Sequence, residues 1–233
     1  MEQSIKLSYY SDTLCVWAYI AQIRLDELRK KFGDQLEIEH HFISVFGCTE
    51  QRIAKGWQDR GGYQGFSDHV VGVAKDFPHI TVNPDIWRSC IPKTSYVSHC
   101  FLKAVQLLEQ NQQLSVAVDY QHGQDVFESL IWKVRSAFFE HAQDIGNFTV
   151  LYDIAESMGL PIDDIAKLIT DGSAMAALSR DQDQRESNKI GGSPSYVLDG
   201  GRQKLYGNVG YRVIEANIIE LLENPDKQQA SWC

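Results

Sequence analysis

Strand-like segments sit only at the two ends of this 233-residue chain, on either side of a long middle whose apolar positions recur at helical spacing. At the first end, Ile5 to Tyr10 and Leu36 to Phe42 alternate apolar with polar residues in the manner of strands. Between them Trp17, Ile20, Ala21, Ile23, Leu25 and Leu28 follow a helical period, closed by Lys30-Lys31 and stopped by Gly33. This is a βαβ unit, expected to be parallel and right-handed if its strands share a sheet. From Gly47 to Glu186 the period is helical. Val97, Cys100, Phe101, Ala104, Val105 and Leu108 form one stripe, and Val126, Leu130, Val134, Ala137 and Phe138 another. Gly159-Leu160-Pro161 turns into a short helix, Asp171-Gly172 ends it, and a polar helix covers Ser173 to Ser187. At the far end Ser195 to Leu198 and Gln203 to Tyr206 read as a hairpin around Asp199-Gly200-Gly201, and Tyr211 to Glu223 as a closing amphipathic helix. The order βαβ, helices, ββα predicts an α/β layer built from residues 1–46 and 188–233, with residues 47–187 inserted as a helical subdomain.

The formal net charge of −9, without a run of basic residues, argues against a nucleic-acid partner. Met1 to Ser4 lead into the first strand with no basic and long apolar leader, and no stretch of 18 residues is apolar throughout, so no membrane partner is expected and the chain reads as cytoplasmic. Five cysteines at irregular spacing do not form a disulfide framework and are expected to be largely reduced. The histidines lack metal-ligand spacing, and His40 and His41 should point to opposite faces of a strand, so no metal site is predicted. Gly61-Gly62-Tyr63-Gln64-Gly65 lacks the lysine and setting of a phosphate loop and reads as a lid or surface turn. Asn147 falls in a glycosylation sequon, but as a helix cap it needs no secretory context.

Chemistry concentrates at Cys15, in Ser11-Asp12-Thr13-Leu14-Cys15-Val16-Trp17-Ala18-Tyr19, where a strand ends and a helix begins. A helix N-terminus stabilises a thiolate, so the expectation is a depressed thiol pKa and a nucleophilic sulfur. Ala18 stands where a Cys-x-x-Cys motif carries its second sulfur, so no disulfide closes within the motif. Asp12 reads as a cap at the helix start whose charge partly opposes ionisation of the thiol. Trp17 and Tyr19 suit either the core or a substrate groove. Cys100 falls on an apolar stripe and reads as core; Cys48 and Cys90 have no assigned role. Cys233 ends a polar tail beside Trp232 and is a candidate distant resolving thiol for Cys15.

These residues, with Gly191-Gly192-Ser193-Pro194-Ser195-Tyr196-Val197, resemble the DsbA-like branch of the thioredoxin superfamily, which includes kappa-class glutathione transferases and 2-hydroxychromene-2-carboxylate isomerases. The resemblance covers essentially the whole chain. It implies a thioredoxin-like fold with a large helical insertion, and a cis Pro194 facing Cys15. Ser193 would then present its free backbone groups to an extended thiol partner. The active-site motif would comprise Asp12, Val16, Trp17, Ala18 and Tyr19 around catalytic Cys15. The implied activity is thiol–disulfide exchange through a mixed disulfide with a protein or glutathione. With no resolving sulfur at Ala18, a two-thiol oxidase mechanism does not carry over. Ala18 also matches the isomerases, so a glutathione-dependent isomerase or transferase acting on an apolar or aromatic substrate is the alternative. Trp57, Tyr63, Phe66, Trp87 and Tyr96 are candidate pocket residues for that chemistry, and a thiol or peptide binder without turnover is a third reading. No bound cofactor is expected, glutathione would be a co-substrate, and a homodimer is compatible with the family. Tyr206-Gly207-Asn208-Val209-Gly210-Tyr211-Arg212 resembles the family's closing segment without its acidic residue, so no glutathione contact is carried over there.

Overall fold

The computed structural model describes residues 4–114 and 125–224. Strands β1 (Ile5–Ser11), β2 (Leu36–Phe42), β3 (Ser195–Leu198) and β4 (Gln203–Tyr206) form one sheet in the order β2-β1-β3-β4. β1 and β2 run parallel with Ile5 opposite Leu36 and Ser11 opposite Phe42, while β3 is antiparallel to β1 and to β4. The two central strands thus come from opposite ends of the chain. The β3–β4 link is a turn at Asp199–Gly201, where Asp199, Gly200 and Gly201 all take positive φ.

Helix α1 (Val16–Phe32) connects β1 to β2 and serves two apolar clusters. Its second half places Leu25, Leu28 and Phe32 with Ile5, Leu7 and Tyr9 of β1 and with Ile214, Ile218 and Leu221 of the closing helix α8 (Tyr211–Glu223). Its first half places Ala18, Tyr19 and Ile20 in a larger cluster with Phe101, Leu130, Val134 and Phe138 from the helices between β2 and β3. Gly33 ends α1 at φ 51°, a backbone state glycine adopts without penalty, and its N–H returns to the Arg29 carbonyl.

The intervening helices are α2 (Gly62–Ala74), α3 (Tyr96–Gln110), α4 (Val126–Phe139), α5 (Phe148–Ser157), α6 (Ile162–Thr170) and α7 (Ser173–Ser187). Asn147 caps α5 by accepting from the Thr149 N–H. The glycine-rich segment at 61–65 differs from its expected reading as a surface turn, because Gly62 opens α2. Gly65 packs so tightly there that a Cβ would collide with the Arg60 carbonyl. The helices cover both faces of the strand edge at β2. On one face His40 bonds Glu128 of α4 at 2.9 Å, and on the other His41 bonds Asp181 of α7 at 3.0 Å. The two adjacent histidines therefore point to opposite sides, as alternation along a strand requires.

Candidate active site

Cys15 is the N-cap of α1, in extended conformation, and its carbonyl accepts from the N–H groups of Ala18 and Tyr19. No side chain caps this turn of the helix. The order comes instead from the preceding loop, where Asp12 Oδ1 accepts from the Leu14 N–H at 2.9 Å. Asp12 Oδ2 accepts from the Phe46 N–H at 2.8 Å and from the Ser95 hydroxyl at 2.9 Å. Asp12 is fully buried, so it ties the β1–α1 loop to the chain leaving β2 and to the start of α3, away from the substrate surface. The Thr13 N–H donates to His99 Nε2 at 3.1 Å, adding a second tie to α3.

The Ser193–Pro194 peptide is cis. Ser193 meets the loop twice. Its hydroxyl accepts from the Asp12 N–H at 2.9 Å, and its carbonyl lies 3.3 Å from Cys15 Sγ as acceptor for the thiol. On the other side, the Pro194 carbonyl accepts from the Gly207 N–H, which joins this segment to the end of β4. The Tyr206 ring stands against Gly192, where any side chain larger than hydrogen would strike its hydroxyl.

Cys15 is only 6% exposed, and this reverses the expectation of an acidic thiol. Burial pushes the thiol pKa above its ordinary value. A hydrogen bond from the Ser193 side chain and the backbone N–H groups of Ala18 and Trp17 pull it down, while the Asp12 charge pushes it up. Removing water from the charged form outweighs the helix terminus. At rest the sulfur is held as a thiol.

A cleft of about 380 Å³ opens over this sulfur. Cys15, Val16, Trp17, Gly192 and Ser193 line one part, Trp57, Phe66 and Val70 another, and the cations Arg52 and Arg185 face it together with His69 and Tyr206. Of the motif residues, Val16 and Trp17 line the cleft with Cys15, whereas Ala18 and Tyr19 are fully buried. Tyr19 belongs to the core: its ring stacks on Phe139 at 4.9 Å and its hydroxyl donates to Glu140 at 2.6 Å. Trp57 and Phe66 reach the cleft. Trp87 is buried against Phe46 and Phe138, Tyr63 stacks on Trp87, and the Tyr96 hydroxyl accepts from Ser44. Cys90 and Cys100 are buried, with burial raising the Cys90 thiol to about 11, and Cys48 is exposed. Cys233 lies outside the described residues.

A family model for the DSBA-like thioredoxin domain matches residues 6–218. The chain belongs to this family. Solved structures of similar fold include a 2-hydroxychromene-2-carboxylate isomerase, at 14% identity, with 95% of this chain and 98% of that one covered and a TM-score of 0.61. The cytosolic disulfide reductase DsbM from Pseudomonas aeruginosa with GSH is similar at 16% identity, with 92% and 98% covered and a TM-score of 0.61. A thioredoxin-like oxidoreductase from Silicibacter pomeroyi DSS-3 is similar at 11% identity, with 96% and 88% covered and a TM-score of 0.54. No curated protein matches the chain. In this DSBA-like thioredoxin domain α2 to α7 lie between β2 and β3, and that segment supplies much of the wall above Cys15. Three of those wall residues, Arg52, His69 and Arg185, carry no local motif, and sequence reasoning missed their place in the site; Tyr206, at the end of β4, reads from the sequence only as part of the closing segment. Arg185 lay on a helix whose polarity reads as plain solvent exposure, and only the fold turns it toward the DSBA-like site.

Proposed function

We propose that this DSBA-like protein is a cytoplasmic thiol–disulfide oxidoreductase that works through Cys15 as its single active-site sulfur. The observation that carries this reading is the position of Cys15 Sγ, 3.3 Å from the Ser193 carbonyl at a cis-proline and on the floor of a cleft, with Ala18 in the second-sulfur position. The Cys15 thiol gives its proton to water, the resulting thiolate attacks one sulfur of a disulfide to form a mixed disulfide, and the other half leaves as a thiolate that takes up a proton. An external thiol such as glutathione then attacks the mixed disulfide and restores Cys15. Ser193 holds the partner beside the sulfur through its backbone. No bound cofactor takes part. The similarity to DsbM with GSH supports glutathione as the external thiol.

A second reading is a glutathione-dependent isomerase or transferase, favoured by the aromatic wall of Trp17, Trp57, Phe66 and Tyr206 and by the similarity to a 2-hydroxychromene-2-carboxylate isomerase. Intact mass with peptide mapping separates the two. After brief exposure of the reduced protein to glutathione disulfide, the first reading expects one glutathione on Cys15, removed by reduced glutathione and absent in Cys15→Ser. An unmodified Cys15 under these conditions selects the second. The same map reports any bond from Cys15 to Cys233, which would make the C-terminal cysteine the resolving thiol.

A further inference from the structure

The chain carries a net charge of −9, yet the described residues lining the Cys15 cleft include Arg52, His69 and Arg185 and no aspartate or glutamate. Elsewhere three arginines find carboxylates: Arg29 pairs with Asp125 and Glu128, Arg88 with Asp68, and Arg202 with Asp199. Arg52 and Arg185 have no such partner among the described residues. Arg185 is held in place by its Nε, which donates to the Ile190 carbonyl at 3.2 Å, so its remaining donors are pre-oriented by the backbone. Trp57, which lines the cleft, carries Arg60 stacked over its ring at 4.1 Å from the centroid. An unpaired arginine fork matches a carboxylate in shape and charge. A cleft lined by one sign of charge concentrates ligands of the other.

We propose that the cleft selects its partner by charge, taking small carboxylate-bearing disulfides whose carboxylates pair with Arg52 and Arg185 while a sulfur meets Cys15. This rests on the oxidoreductase reading and names the substrate class of that site. The cleft volume of about 380 Å³ suits a small molecule. The exchange step is balanced by the partner itself. The Cys15 thiol releases its proton to water, a bond forms between Cys15 Sγ and one partner sulfur, the partner's sulfur–sulfur bond breaks, and the leaving half departs as a thiolate that takes a proton back from water.

The test measures the rate at which Cys15 is modified by three symmetrical disulfides: dithiodipropionate with two carboxylates, hydroxyethyl disulfide without charge, and cystamine with two ammonium groups. Leaving-group differences cancel when each variant is compared with wild type through the ratio of the dithiodipropionate rate to the cystamine rate. That ratio is expected to fall roughly threefold in Arg52→Gln and in Arg185→Gln, and about tenfold in the double variant, the scale of partly exposed ion pairs. Arg52→Lys should restore most of the ratio lost in Arg52→Gln, and added salt should compress it in wild type. A ratio equal in wild type and the double variant, or indifferent to salt, overturns charge selection. The neutral probe keeps the two failures apart. If hydroxyethyl disulfide modifies Cys15 but the ratio does not move, only the charge proposal falls; if none of the three modifies Cys15, the oxidoreductase reading falls and takes this inference with it.

Discussion

At Cys15 the helix terminus and the surrounding core pull the thiol in opposite directions, and the sign of the balance is measurable. Burial with Asp12 close by raises the pKa, so alkylation by a neutral reagent should keep accelerating above the value of about 8.5 at which a simple thiol is half ionised. A rate that levels off below neutral pH would show that the N–H groups of Trp17 and Ala18 prevail. Asp12→Asn removes a charge that disfavours the thiolate, and should shift the alkylation profile toward lower pH. It also gives up acceptor capacity for the Phe46 N–H and the Ser95 hydroxyl, at a cost of about 1–3 kcal/mol of stability read by denaturant unfolding. Ala18→Cys places a second sulfur one helical turn from the first, within the reach of a disulfide. Oxidation of that variant should remove two hydrogens from the intact mass and leave Cys15 blocked to alkylation. A persistently reduced pair would mean that the packing around the fully buried Ala18 refuses the bond.

Among the elements, β2 and α3 carry carboxyl groups whose environments act in opposite senses. Glu39 on β2 is held down at about 2 by its bond to His41 and then by Lys6, against burial. A depressed carboxylate contributes stability that is complete above its ordinary value of about 4.5 and is lost as pH falls from there to about 2. Glu39→Gln should therefore flatten acid unfolding across that window, by about 1 kcal/mol once solvent screening is allowed for. An unchanged slope would assign the acid sensitivity elsewhere. Glu109 on α3 behaves in the opposite way: burial, with Asp125 and Glu128 nearby, raises it to about 7 against the pull of Arg29. A raised carboxyl costs stability as pH climbs through that value. Glu109→Gln should raise the melting temperature at pH 8 and leave it nearly unchanged at pH 4, and equal shifts at both would refute the ionisation argument.

Across the whole molecule, the larger apolar cluster runs from Cys15, Ala18, Tyr19 and Ile20 of α1 through the helices between β2 and β3 without interruption. Arg135 of α4 reinforces this continuity although it is fully buried. It donates to the Ala18 carbonyl at 3.3 Å, to Gln22 at 2.7 Å and to Ser11 at 2.9 Å, joining α4 to α1 and β1. Arg135→Leu would leave the Gln22 amide oxygen and the Ser11 hydroxyl buried without this donor, and a loss of about 3 kcal/mol or more is expected. The shared core also predicts that far-ultraviolet circular dichroism and tryptophan fluorescence report one unfolding transition, because Trp17, Trp87 and Trp132 all pack in or against it. Two separated transitions would show that the sheet half and the helical segment unfold independently.

Local patterns revealed the strands and most of the helices of this protein, but not the start of α2 at Gly62. Alternation marked β2 at its observed limits, the Asp171-Gly172 turn marked the start of α7 and helical period marked α8, and a cysteine at a strand–helix junction beside a distant Ser-Pro pointed to Cys15 as the candidate sulfur. Periodicity and caps are properties of neighbouring residues, so they can be read along the chain. The state of that sulfur could not, because desolvation depends on what the helices between β2 and β3 stack around it. Nor could the roles of Tyr19, turned into the core by Phe139 and Glu140, or of Arg52 and Arg185, brought to one cleft from separate elements. Tertiary packing decided these, since burial and electrostatic company are set by residues far apart in the chain.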